Sequence, residues 1–125
     1  MLKDIILVGA GGFAGSVFRY LISAALIANA ARLNFPVGTL LVNIVGALLI
    51  GIFFVTLPQG NWYYLCISGF CGGFTTFSAF SLEALQMLRT HNYSGAALYI
   101  AASVLVCILF VWLGVMIGNR FIKPV

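Results

Sequence analysis

The chain of 125 residues is 63% hydrophobic and only 6% charged, with a net charge of +4. Soluble domains carry roughly 25% charged residues, so this composition, with a mean hydropathy of +1.17, excludes a water-soluble domain and points to a lipid bilayer. The six Lys and Arg are scattered and form no basic patch, which argues against nucleic acid as a partner.

No Asp, Glu, Lys or Arg stands between Arg32 and Glu83, or between Arg89 and Arg120. A helix needs about 20 residues to cross the hydrocarbon, so these runs hold several spans. The start, Met1-Leu2-Lys3-Asp4, leads into an apolar run too long for a signal-peptide core and without a clear cleavage site, and reads as a retained first helix. Span one is predicted over about residues 5–28, followed by a connection from Asn29 to Phe35 that carries Arg32. Pro36 suits the first turn of span two, over about residues 36–57. Pro58-Gln59-Gly60-Asn61 is a tight turn, and Trp62, Tyr63 and Tyr64 read as an interfacial aromatic belt. Span three, about residues 62–88, is predicted to be interrupted near Gly72-Gly73, because paired glycines loosen a helix. Arg89-Thr90-His91-Asn92 is the next connection, span four covers about residues 94–119, and Arg120, Lys123 and Pro124 close the chain.

The expected fold is therefore a single all-α membrane domain over residues 1–125, with four transmembrane helices and the third broken mid-membrane. Cys66, Cys71 and Cys107 fall in apolar stretches without metal-like spacing and read as buried thiols. Gly11 with Gly15, and Gly114 with Gly118, form Gly-x-x-x-Gly pairs that let backbones approach closely in lipid, and Gly46 and Gly51 add small positions in span two.

Four spans put both ends on one side, with Lys3, Arg120 and Lys123, against Arg32 and Arg89 on the other. So weak a bias does not set orientation by the positive-inside rule. The expectation is a chain that inserts both ways up and pairs antiparallel with itself; the alternative is one orientation set by weak cues. A two-fold axis in the membrane plane brings two copies of the Gly72–Ser81 segment together near the midplane.

That segment is the most informative in the chain: Gly72-Gly73-Phe74-Thr75-Thr76-Phe77-Ser78-Ala79-Phe80-Ser81 puts hydroxyls and close aromatics inside a membrane span. Hydroxyls at that depth need partners. Phe77 and Phe80 share a helix face. They either pack the core or present their positive ring edges to an anion stripped of water. Thr75, Ser78 and Ser81 form a hydroxyl stripe beside them, and Tyr99 and Ser103 repeat the aromatic-plus-hydroxyl pattern in span four. Asn43 in span two offers amide donors and an acceptor, either to a ligand or as glue between helices, with Thr39 one turn earlier on the same face. Arg19 lies about three residues past the middle of span one, ~4–5 Å from the centre. It faces an aqueous cavity or a partner, or snorkels to an interface. In a cavity it argues for an anionic substrate. Glu83 either pairs with Arg19 at a vestibule floor or sits at the interface. The run Ile5–Ala14 fits a dinucleotide fingerprint but lacks the βαβ setting and the acid about 20 residues on.

At these residues the chain resembles the Fluc/CrcB family of fluoride channels. The likeness rests on the Gly72–Ser81 run, on Gly11-Gly12-Phe13-Ala14-Gly15 leading to Arg19-Tyr20, and on Gly38-Thr39-Leu40-Leu41-Val42-Asn43. It covers essentially the whole chain in order. Cys107 stands where some members carry a polar residue. The resemblance implies an antiparallel, dual-topology homodimer in the plasma membrane, with two pores that passively and selectively export fluoride from the cytoplasm. It implies that Phe77 and Phe80 form an aromatic box, that Asn43 contacts the ion, and that Ser78, Ser81, Tyr99 and Ser103 line or support the polar path. Thr39, Arg19 and Glu83 would belong to the vestibule. Gly72 and Thr75 would give backbone carbonyls to a structural sodium ion at the dimer centre, where two copies supply four oxygens suited to a hard cation.

Two rival classes stand beside it. A proton-coupled exporter of the small multidrug-resistance type needs an embedded acid in its first helix, where this chain has Arg19 and no carboxylate beyond Asp4. A non-transporting assembly subunit would show no ion leak in vesicles.

Overall fold

In a computed structural model, residues 1–122 are described; Lys123 and Pro124, expected at the cationic terminus, lie outside the described residues. Regular structure among the described residues is helical throughout. Helix α1 spans Leu2–Ala25, α2 Ile27–Leu33 and α3 Val37–Thr56. A π-helix, Tyr63–Cys71, runs on into α4, Gly72–Phe74. Helix α5 spans Phe77–Arg89 and α6 Tyr93–Phe121. Four stretches are long and apolar enough to cross a membrane: Leu2–Ala25, Val37–Thr56, Tyr63–Arg89 and Tyr93–Phe121.

Two elements differ from the sequence expectation. The connection from Asn29 to Phe35 is mostly helical, as α2, because neither Gly nor Pro interrupts Ile27–Leu33; Asn34 ends it in the left-handed region at φ 50°. The interruption of the third span does not lie at Gly72-Gly73. Gly72 is helical, with φ −62° and ψ −38°, and both glycines belong to α4. The backbone leaves helical values at Thr75 (φ −84°, ψ 157°) and Thr76 (φ −150°, ψ 118°), and α5 starts at Phe77. Gly73 serves close packing instead: a Cβ there would meet the Gly12 backbone and come 3.0 Å from Ser16 Oγ. Thr76 restarts the helix as N-cap, its Oγ1 accepting from Ala79 N at 3.2 Å.

Helix α1 packs along the π-helix and α4, and α3 packs along α6. Both seams are backbone-to-backbone. A Cβ on Gly11 or Gly15 would strike the backbone of residues 65–74, and one on Gly51 or Gly114 would strike the opposite helix of the α3–α6 pair. In lipid, where no hydrophobic effect drives helices together, this close approach supplies the dispersion contacts that do. Gly46 makes room for the Thr75 methyl. The most fully buried large side chains are Val42 of α3, Cys71 of the π-helix and Tyr99 of α6.

Gly114→Val should destroy the α3–α6 seam, since its Cβ has only backbone to displace, at a cost of at least about 1–3 kcal/mol. Gly9→Ala, where the Cβ meets nothing within 4 Å, should leave stability unchanged or raise it by up to about 1 kcal/mol. Thermal unfolding in detergent micelles reads both.

Candidate functional site

The unwound Thr75-Thr76 pair sits at the middle of the Tyr63–Arg89 stretch, and the site is built around it. Asn43, on the second turn of α3, grips it with both ends of its amide. Asn43 Oδ1 accepts from Thr76 N at 2.8 Å, and Asn43 Nδ2 donates to Thr76 O at 3.0 Å. The side chain thus replaces the two bonds that helical backbone would have given Thr76. Thr75 Oγ1 donates back to Cys71 O at 2.8 Å, as β-branched hydroxyl residues do where helices bend.

Toward the α5–α6 connection a second cluster forms around Glu83. Thr39 Oγ1 donates to Glu83 Oε1 and Tyr99 Oη donates to Glu83 Oε2, each at 2.7 Å. Residues from α3, α5 and α6 therefore meet on one carboxylate. The Tyr99 ring continues an aromatic row, 5.1 Å from Phe80 and 5.4 Å edge-on to Phe35, and Phe80 lies 5.4 Å from Phe77.

The two phenylalanines differ in setting. Phe80 is buried at 9% exposure, whereas Phe77 projects from the single chain at 78%. Between them and α6 lies an open cavity of about 380 Å³, lined by Asn43, Thr76, Phe77, Phe80, Ser103 and Cys107 among others. Its walls are mainly apolar side chains, among which stand the Asn43 amide and the hydroxyl residues Thr75, Thr76 and Ser103. Ser103 Oγ is buried with no hydrogen-bond partner among the described residues. Ser103 is one of the residues lining this cavity together with Phe77 and Phe80, and its hydroxyl has an O–H left to donate.

The remaining hydroxyls are engaged. Ser78 Oγ lies 3.2 Å from Thr76 Oγ1, and Ser81 Oγ donates to Phe77 O at 2.8 Å. Both serines are exposed on the face that carries Phe77. Arg19 is not paired with Glu83: the only ion pair among the described residues joins the Met1 amine and Asp4. Its Nε donates to Gly73 O at 3.0 Å, and Ser16 Oγ reaches the same oxygen at 3.5 Å. The carbonyls of Gly72 and Thr75 receive no hydrogen bond among the described residues, because Thr76 N turns to Asn43 and Ala79 N to Thr76 Oγ1.

Sequence reasoning missed Thr76, Ser16 and Gly73 as parts of this arrangement. Thr76 carried a readable signal, a capping hydroxyl immediately before the helical pattern of 77–89. Ser16 and Gly73 carried none, since only the α1 packing pairs them.

Asn43→Ala should leave the Thr76 amide and carbonyl unpaired and lower stability by about 1–3 kcal/mol. Ser78→Ala, an exposed hydroxyl, should change it by less than about 0.5 kcal/mol; unfolding in micelles separates the two.

Residues 6–115 match the model of the CrcB-like protein, Camphor Resistance (CrcB), family. A protein of Coxiella burnetii (strain Dugway 5J108-111) described as "Fluoride-specific ion channel FluC" is 42% identical over 123 residues, covering 94% of this chain and 98% of that one. "Fluoride-specific ion channel FluC 2" of Bacillus thuringiensis subsp. konkukian is 41% identical, covering 93% and 98%. A FluC of Flavobacterium psychrophilum is 40% identical, covering 95% and 99%. A match that runs nearly end to end, through the Asn43 clamp and both aromatic positions, makes this chain a member of the CrcB family.

Proposed function

We propose that this protein is a fluoride-selective channel of the bacterial plasma membrane that lets fluoride leave the cytoplasm down its gradient, without covalent chemistry. The observation that carries the reading is the nearly full-length identity of about 40% to fluoride-specific channels. The chemistry of the site agrees with it. Fluoride is small and strongly hydrated, and leaving water costs it dearly unless donors replace the hydration shell. Ser103 offers an unspent O–H, and hydrogen bonds to an anion are the strong ones. Phe77 and Phe80 offer ring edges, which carry positive potential. The Asn43 amide holds the backbone of Thr76 in place and so keeps the α5 end of the cavity rigid.

The proposed channel is an antiparallel pair of chains. A second, inverted copy placed on the face that carries Phe77, Ser78 and Ser81 covers Phe77, which is 78% exposed in one chain, and completes the wall of the cavity. The near balance of charged ends described above supports insertion in both orientations. In this arrangement the unwound Thr75-Thr76 pair lies at the membrane midplane. The Gly72 and Thr75 carbonyls, which have no donor among the described residues, fit a structural sodium ion on the two-fold axis, two oxygens from each copy. Hard cations take oxygen ligands, and a fixed positive charge there favours anions nearby. Glu83, held by Thr39 and Tyr99, lies at the proposed vestibule, where the two hydroxyls keep its charge localised away from the cavity.

Purified protein in liposomes loaded with fluoride should release it faster than empty vesicles, with little chloride release and no proton coupling. No fluoride release above the empty-vesicle rate would reject the reading. Ser103→Ala and Phe80→Ile should each slow release at least about tenfold while the cross-linked dimer yield stays unchanged. Exhaustive replacement of sodium by an organic cation should slow fluoride release, and readdition of sodium should restore it.

A further inference from the structure

Arg19 is the one charged side chain of α1 beyond its first turn, and its contact is with backbone. In an unbroken helix the Gly73 carbonyl would accept from the amide of residue 77. Phe77 instead opens a new helix after two extended residues, so that bond is not made. A carbonyl left bare in hydrocarbon is costly. Helix α1 fills the gap from the side: Arg19 Nε donates to Gly73 O at 3.0 Å and Ser16 Oγ approaches at 3.5 Å. Both come from the α1 face that Gly12 opens to Gly73, where a Cβ on Gly73 would strike Gly12 and Ser16.

We infer that Arg19 is a positioning residue rather than a vestibule charge: its Nε–H stands in for the missing Phe77 amide and holds the carbonyl end of α4. Gly72 precedes Gly73 in the same short helix, so holding the Gly73 carbonyl holds the turn from which the unpaired Gly72 carbonyl projects, just before the chain turns extended at Thr75. The inference rests on the reading of the Thr75-Thr76 break as the centre of a channel.

The identity of the donor atom makes this testable. The bond comes from Nε, the fifth atom of the side chain counting from Cα. Gln carries an N–H donor at the same position along the chain and no charge. Lys keeps the charge but has a methylene at that position, with its ammonium one bond farther out. The two substitutions therefore separate hydrogen bond from charge.

In sodium-containing liposomes, Arg19→Gln should keep fluoride release within about threefold of the native rate. Arg19→Lys and Arg19→Met should lose at least about tenfold, the equivalent of one hydrogen bond between a charged donor and a buried carbonyl. The ionic-strength dependence of release should be the same in native protein and Arg19→Gln, since no steering charge is involved. Native-like release in Arg19→Lys together with loss in Arg19→Gln would overturn the inference in favour of charge, and native-like release in all three would overturn it outright. A second measurement needs no variant. In native full-length protein in bilayers, labelled at Arg and Gly, solid-state NMR should show a dipolar contact between the Arg19 Nε and the Gly73 carbonyl carbon. Its absence would overturn the inference even if every variant failed to fold. Because that contact is read without fluoride, it also separates failure here from failure of the channel reading, which the native release rate decides by itself.

Discussion

Hydrocarbon offers no water to backbone groups that leave a helix, and this single constraint organises the protein. At Thr75-Thr76 the chain leaves helical geometry, so several amides and carbonyls lose their partners at once. Asn43 of α3 takes the amide and carbonyl of Thr76. Arg19 and Ser16 of α1 take the carbonyl of Gly73. The Thr76 hydroxyl takes the amide of Ala79, and the Thr75 hydroxyl doubles up on Cys71 O. The neighbouring helices sit where they do in part because the break needs what they carry.

Those side chains reach only because the helices come unusually close. Glycine seams bring α1 onto the π-helix and α4, and α3 onto α6. A methyl group at Gly73 would push α1 away and lengthen the Arg19 contact as well. Packing and polar satisfaction are therefore one problem here. The wider winding of the π-helix just before the break belongs to the same region; such segments cluster at functional sites.

The hydroxyls of the site differ in how much they have left to give. Thr39 and Tyr99 donate to Glu83, Thr75 to Cys71 O and Ser81 to Phe77 O. Ser103 alone is buried and unpartnered among the described residues. Under the proposed function this asymmetry places the anion's best donor on α6, in the wall of the cavity that Asn43 and Phe80 also line. The Glu83 carboxylate, with both oxygens occupied by hydroxyl donors, stays out of the cavity lining.

The long uncharged runs and the turn residues between them were enough, from sequence, to set the membrane class and four spans, because a span is a local property of about 20 consecutive residues. Motif likeness likewise made the Gly72–Ser81 run, Asn43 and Glu83 candidates without any structure. The exact point of unwinding was not legible. Gly72-Gly73 looked like the weak point on propensity, yet helix α1 needs Gly73 for close approach, and the unwinding falls on two β-branched threonines whose groups Asn43 can satisfy. Nor was the destination of Arg19, whose partner stands 54 residues away. Hydropathy and motif are carried by neighbouring residues in the chain, whereas a hydrogen bond to a freed carbonyl depends on which helices touch, and only the tertiary structure decides that.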